Sequence, residues 1–233
     1  MENVSSIKSN IAILRSRIAA VKPVYEHQAA GIKIVAVTKT QPVASIREAI
    51  AAGLTAIGEN RVQEAAEKYA ALGTAVEWHL VGHLQTNKAR EAVKMFSLIH
   101  SVDSERLVTE IDRQAAKIGK RQEVLLEVNI GGESTKFGVP PDEVFQLVKF
   151  AATKPNICVC GLMTVAPFAS DPEELRPLFK RMRQLFQNLR EEALPGTNIC
   201  WLSMGMTNDY LVAIEEGANL VRIGTAIFGT RAY

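Results

Sequence analysis

The feature that most constrains this chain is a theme repeated along it: a short run rich in Val, Ile and Leu, a turn with Gly, Asp, Asn or Ser, then a helical pattern. The runs predict strands at 33–39, 55–59, 77–82, 97–102, 123–129, 157–163, 198–204 and 220–224. Helical spacing fills the intervals at 43–52, 61–71, 87–95, 104–118, 142–152, 173–192 and 208–216. In the longest of these, Leu175, Leu178, Phe179, Met182, Leu185, Phe186 and Leu189 recur at helical gaps behind Asp171 and Pro172, a good N-cap and first-turn pair. Pro177 predicts an irregular first turn. Several strands are continuous apolar runs, the pattern of parallel strands covered on both faces. Eight such units without a break in composition predict an α/β fold, a single (β/α)8 TIM barrel domain over residues 1–233. An open doubly wound sheet fits less well, because no GxGxxG follows the first strand. Ile7, Ile11, Leu14, Ile18 and Val21 add an N-terminal amphipathic helix that ends near Pro23.

Composition narrows the function classes. The net charge is only +2, with no basic block, and 6% of residues are aromatic, so nucleic acid is not expected as a partner. The opening MENVSSIKSN lacks an apolar signal core, and no apolar run approaches the roughly 18 residues needed to span a bilayer. The expectation is a cytoplasmic chain with no membrane partner, working as a monomer. Cys158, Cys160 and Cys200 are odd in number and form no CxxC pair, so they read as small buried hydrophobes; in a strand, Cys158 and Cys160 share a face. His79 and His83 stand four apart in WHLVGH, but their context is strand-like and no HExxH glutamate lies between them, so no metal site is expected.

In a barrel of this kind the reactive groups collect at the carboxyl ends of the strands, and phosphate is commonly held after strands seven and eight. Strand seven ends in LSMGMT (202–207), which offers the Ser203 hydroxyl, a glycine at 205 and Thr207 as a helix N-cap. Strand eight ends at Gly224 and Thr225. Two glycine-containing turns with hydroxyls and free N–H groups suit a phosphate dianion. Arg222 shares a strand face with Gly224, and a buried guanidinium must find a carboxylate such as Glu59 or a ligand. Lys39 terminates the first strand, either as a solvated cap or as an amine that condenses with an aldehyde. The cofactor that joins an aldehyde to a phosphate is pyridoxal 5′-phosphate.

Six motifs then stand together: AVTKTQP (36–42), GENRVQE (58–64), WHLVGHLQTNK (78–88), GLM (161–163), LSMGMTND (202–209) and VRIGTAIFG (221–229). In this order they resemble the pyridoxal phosphate homeostasis protein family, whose fold is similar to the N-terminal barrel of alanine racemase and of fold-type III decarboxylases. The resemblance implies that Lys39 carries the cofactor through a Schiff base. It also implies that Ser203, Gly224 and Thr225 hold the phosphate, that Arg222 faces the pyridine nitrogen, and that Asn60, Met163 and Met204 line the pocket. Thr207 stands where the family more often has serine. The loop NIGGESTKFG (129–138), with Lys136, resembles the family too; a solvated loop after strand five is the simpler account, and gating of cofactor passage is the functional one.

The arginine carries a chemical consequence. A guanidinium only donates, so a ring nitrogen opposite it is an unprotonated acceptor, and the ring becomes a weak electron sink. That suits storage and delivery of the cofactor, or at most proton exchange at an amino acid's α-carbon; the function expected is PLP homeostasis, with protection from free aldehyde and effects on amino-acid balance. PLP-dependent apoenzymes or a regulatory protein are the expected partners, and no catalytic residue is expected. The alternative is an amino-acid racemase or decarboxylase, with Tyr210 or Tyr233 as proton donor. The chain ends at Tyr233, shortly after its eighth strand, without the β-rich second domain of such enzymes, which favours the first reading.

Overall fold

A computed structural model describes residues 6–22 and 31–229. Pro23 and Tyr233 lie outside the described residues. Helix α1 (Ile7–Ala20) comes first, capped by Ser6, whose Oγ accepts from Ser9 N at 3.2 Å. Eight parallel strands follow and close into a barrel in chain order: β1 (Lys33–Val37), β2 (Ala56–Glu59), β3 (Glu77–Leu80), β4 (Leu98–Val102), β5 (Gln122–Glu127), β6 (Ile157–Met163), β7 (Thr197–Ser203) and β8 (Leu220–Ile223). The helices between them are α2 (Val43–Ala51), α3 (Val62–Leu72), α4 (Ala89–Met95), α5 (Glu105–Ala116), α6 (Val144–Ala152), α7 (Arg176–Glu192) and α8 (Tyr210–Glu215). The fold is the (β/α)8 barrel expected from the repeated theme.

The alternation of each strand sorts the core into two layers. On β1, Ile34 and Ala36 belong to the large cluster between sheet and helices, while Val35 joins Ala56, Leu98, Leu125, Cys160 and Leu220 in a small cluster inside the barrel. The outer layer dominates the stability. In α7 the sides of Phe179, Met182, Phe186 and Leu189 are buried, each contributing about 1.5–3 kcal/mol on removal from water. The irregular first turn predicted from Pro177 is a short 3-10 helix, Pro172–Leu175, opened by Asp171, whose carboxylate accepts from Glu173 N at 3.0 Å.

Boundaries shift by one to three residues at several element ends, and two shifts matter. Strand β1 stops at Val37, so Lys39 stands beyond it in a turn where Thr40 adopts φ 65°. Helix α8 starts at Tyr210 with Asp209 as its cap, so Thr207 is not an N-cap; its hydroxyl instead accepts from Ala226 N at 3.4 Å. A further helix, α9 (Thr225–Phe228), closes the β8 turn; a four-residue helix carries too little periodicity to announce itself. Cys158 and Cys160 do share a face, with their sulfurs 3.8 Å apart. Beside them β6 shifts register against both neighbours at Gly161, where a Cβ would strike the Trp201 backbone.

Candidate functional site

The carboxyl ends of the strands enclose a cavity of about 600 Å³, lined on one side by Lys39 and on the other by Arg222, Gly224 and Thr225. Lys39 reaches it because the chain turns directly after β1. Thr38 N extends the ladder to Gly58 O at 2.9 Å, and Thr38 Oγ1 donates to the Glu59 carboxylate. Lys68 Nζ then donates to Thr38 O at 2.6 Å, and Thr40 N donates to Glu64 Oε1. The turn is therefore tied on both sides of Lys39, whose half-buried amine has no hydrogen-bond or ion-pair partner among the described residues. A lysine so placed is free to bond to something else.

Arg222 is 4% exposed and makes no ion pair with Glu59, which is bound to Lys68 at 2.7 Å instead. Its Nη1 donates to Ser203 O at 3.0 Å and to Ser203 Oγ at 2.6 Å, and its Nη2 donates to Thr164 O at 2.7 Å. Three of five N–H groups are thus used, leaving the one on Nε and one on Nη2 uncommitted. Burial pulls the guanidinium down to about 10, with the charges of Glu127 and Asp209 opposing, so it remains a cation at neutral pH. Burial, with the Asp103 charge, pushes the Glu127 carboxyl up to about 7 against the pull of Arg222.

The loops after β7 and β8 face each other across the cavity. Among the described residues the backbone N–H groups of Thr207, Asn208, Gly224 and Thr225 donate to no protein acceptor, and all four residues line the cavity. Met206 N, by contrast, is occupied by Asp209 Oδ1 at 2.5 Å. Unpaired amides gathered at a concave surface suit an anion.

Of the eight residues singled out in the sequence, Lys39, Arg222, Gly224 and Thr225 line this cavity and Asn60, Met163, Ser203 and Met204 do not. Ser203 is fully buried, its hydroxyl engaged by Arg222 and by His100 Nδ1 at 3.1 Å, so it supports Arg222 from behind rather than facing the cavity. Met163 and Met204 are fully buried as well. Lys136 lines the cavity, 2.7 Å from Glu133, with its amine 3.5 Å from Val165 O. Tyr210 is buried in the main core. His83 stacks on Phe137 with ring centroids 3.8 Å apart and lies 3.7 Å from Asp103, whereas His79 is buried inside the barrel.

Sequence reasoning missed Lys68 and His100. Lys68 falls in helical register with the buried Ala65 and Leu72, and a lysine on the buried face of α3 was a legible signal. His100 interrupts an apolar strand in the same way as Arg222 does.

The comparisons with known proteins agree with this architecture. The family described as alanine racemase, N-terminal domain, matches residues 3–232. A protein of Aquifex aeolicus named pyridoxal phosphate homeostasis protein is 47% identical over 205 residues, covering 86% of this chain and 88% of that one. A protein of the same name from Pasteurella multocida is 37% identical over 98% of this chain and 99% of its own. The structure of PipY of Synechococcus elongatus with PLP bound has a TM-score of 0.83 at 36% identity, covering 96% of this chain and all of that one. The chain belongs to the alanine racemase N-terminal domain family and, within it, to the pyridoxal phosphate homeostasis proteins.

Proposed function

We propose that this chain binds pyridoxal 5′-phosphate covalently through a Schiff base at Lys39 and serves intracellular PLP homeostasis by storing the cofactor and delivering it to PLP-dependent apoenzymes. The observation that carries the reading is the Lys39 amine, without a partner among the described residues, in one cavity with backbone amides likewise unpaired there and a donor-only guanidinium. These groups fit the three functional parts of the cofactor. The amine suits the aldehyde, the amides of Thr207, Asn208, Gly224 and Thr225 suit the phosphate, and Arg222 suits the pyridine nitrogen. PLP bound to the similar PipY supports the same ligand here.

When bound, the cofactor supplies an electrophilic carbon and a ring that can accept electron density. This chain's residues subdue the second property. Arg222 is protonated at neutral pH and keeps a hydrogen-bond donor, not a carboxylate, available for the ring nitrogen. An uncharged ring nitrogen weakens the sink that decarboxylation draws on, which suits a carrier or at most proton exchange at an amino acid's α-carbon. The names of the relatives from Aquifex aeolicus and Pasteurella multocida point the same way.

The direct test is borohydride reduction of the protein incubated with PLP, followed by peptide mapping. Label on the peptide bearing Lys39 is the expected result, and label spread over surface lysines, or absent, sinks the reading. Incubating the loaded protein with amino acids in deuterated water tests the enzymatic alternative, since α-proton exchange at an enzyme-like rate would favour it.

A further inference from the structure

Behind Arg222 a chain of polar side chains runs through the inside of the barrel to its opposite end. Ser203 Oγ, which accepts from Arg222 at 2.6 Å, lies 3.1 Å from His100 Nδ1. His100 Nε2 lies 2.9 Å from His79 Nδ1, and His79 Nε2 lies 2.9 Å from Glu77 Oε1. Glu77 opens β3 at the floor of the barrel, where Lys33 at the start of β1 holds both of its oxygens at 2.8 and 2.6 Å. His79, His100 and Ser203 are each fully buried. A polar chain of this length through an apolar core is costly unless every member is satisfied.

With both rings neutral, the carboxylate end sets the direction of every bond. Glu77, an ionised carboxylate, only accepts, so His79 carries its proton on Nε2 and donates it to Glu77. His79 Nδ1 is then an acceptor, and His100 carries its proton on Nε2 and donates to it. His100 Nδ1 is left to accept the hydroxyl proton of Ser203, whose lone pairs face Arg222, a donor only. The shifts agree with this arrangement. Burial pushes both imidazoles below their usual range, which favours the neutral rings, and the His79 hydrogen bond, opposed by burial and aided by Lys33, holds Glu77 at about 2.

We propose that Glu77, His79 and His100 are positioning residues for the mouth of the barrel: their one-way hydrogen-bond chain fixes Ser203 Oγ as an acceptor and so orients Arg222 with two N–H groups left for a ligand nitrogen. The proposal rests on the reading that Arg222 meets the ring nitrogen of PLP. It goes further by making residues at the floor of the barrel determinants of affinity at its mouth.

The first test needs no cofactor. Nitrogen-detected NMR of the apo protein should show His79 and His100 neutral and in the Nε2–H tautomer at neutral pH. An imidazolium, or an Nδ1–H tautomer at either ring, overturns the proposal. The second test compares His100→Phe, which removes the acceptor, with His100→Asn, whose amide oxygen replaces Nδ1. PLP binding should weaken about tenfold in His100→Phe, the loss of one buried hydrogen bond, and recover for the most part in His100→Asn. Equal affinities in all three proteins, or equal losses in the two variants, overturn it. Should His100→Phe fail to fold, the tautomers in the parent protein decide. Borohydride labelling of the parent separates this failure from that of the PLP reading: tautomers as stated without a label at Lys39 mean that the chain orients Arg222 for a different ligand.

Discussion

Lys68 Nζ lies 2.7 Å from Glu59 Oε1 and 2.6 Å from Thr38 O, so one buried amine joins α3, the end of β2 and the turn that carries Lys39. The same amine meets Glu64 at 2.7 Å, and Glu64 in turn accepts from Thr40 N. Burial pushes the Glu59 carboxyl up, while Lys68 and Thr38 pull it back down. The pair therefore does structural work whose removal from one side exposes the cost of the other.

Replacing Lys68 by Met is expected to destabilise the protein by about 3–5 kcal/mol, because Glu59 is left as a buried charge without its cation. The double variant Lys68→Met, Glu59→Gln should recover most of that loss in denaturant unfolding. It should not recover PLP loading at Lys39, since Thr38 O has lost the Lys68 amine and Glu64, which accepts from Thr40 N, has lost the cation that holds it. Full loading of the double variant would show that the turn holds Lys39 without Lys68.

Lys39→Ala separates binding from folding. The amine has no partner among the described residues, so its loss should change stability by no more than about 0.5 kcal/mol. Excess PLP should raise the melting temperature of the parent protein by mass action and that of the variant, left with the phosphate and ring contacts alone, by much less. The yellow absorbance of the loaded protein should vanish with the lysine. Equal stabilisation of both proteins by PLP would remove Lys39 from the account.

The eight-unit barrel was legible because buried parallel strands leave continuous apolar runs, and helices such as α7 keep a strict period. Lys39, Arg222, Gly224 and Thr225 were legible because polar or glycine residues stand out at the ends of such runs. The role of Ser203 was not. Its position at the end of β7 does not reveal whether its hydroxyl faces the cavity or the inside of the barrel, and it is the contact with His100, 103 residues away, that decides. The place of Lys68 on the buried face of α3 was legible but its partners were not, since Thr38 and Glu59 lie on other elements and become its neighbours only once the barrel closes.

Gly205 separates Ser203 from the cavity-lining loop and adopts φ +93°. A Cβ there would meet Ala213 Cβ at 2.7 Å and Tyr210 Cα at 2.9 Å, both parts of a packed helix rather than flexible ends. Gly205→Ala is thus expected to cost roughly 1–3 kcal/mol, combining strained backbone with overpacking. The loop must move to relieve the contact, taking the amides of Thr207 and Asn208 with it. Weaker binding of PLP and of inorganic phosphate should accompany the lower denaturation midpoint, whereas lost stability with unchanged binding of both would place the phosphate elsewhere.

Glu127 yields a pH dependence with a definite sign. The residue is 8% exposed, Oε2 has no hydrogen-bond partner among the described residues, and burial holds the carboxyl at about 7 in the folded protein against 4.5 for an ordinary glutamate. Below pH 4.5 both folded and unfolded chains bind this proton, and the group contributes no difference. Between 4.5 and about 7 the folded protein keeps a proton that the unfolded chain has released, so stability falls as pH rises through this window. The full penalty, about 3 kcal/mol, is present above it. Glu127→Gln replaces the carboxyl by a neutral group of the same shape. The variant should match the parent in acid, gain on it steadily through the window and exceed it by up to about 3 kcal/mol in mild base. Urea unfolding at a series of pH values measures the gap, and a gap that is constant with pH, or that narrows as pH rises, contradicts a desolvated carboxyl beside Arg222.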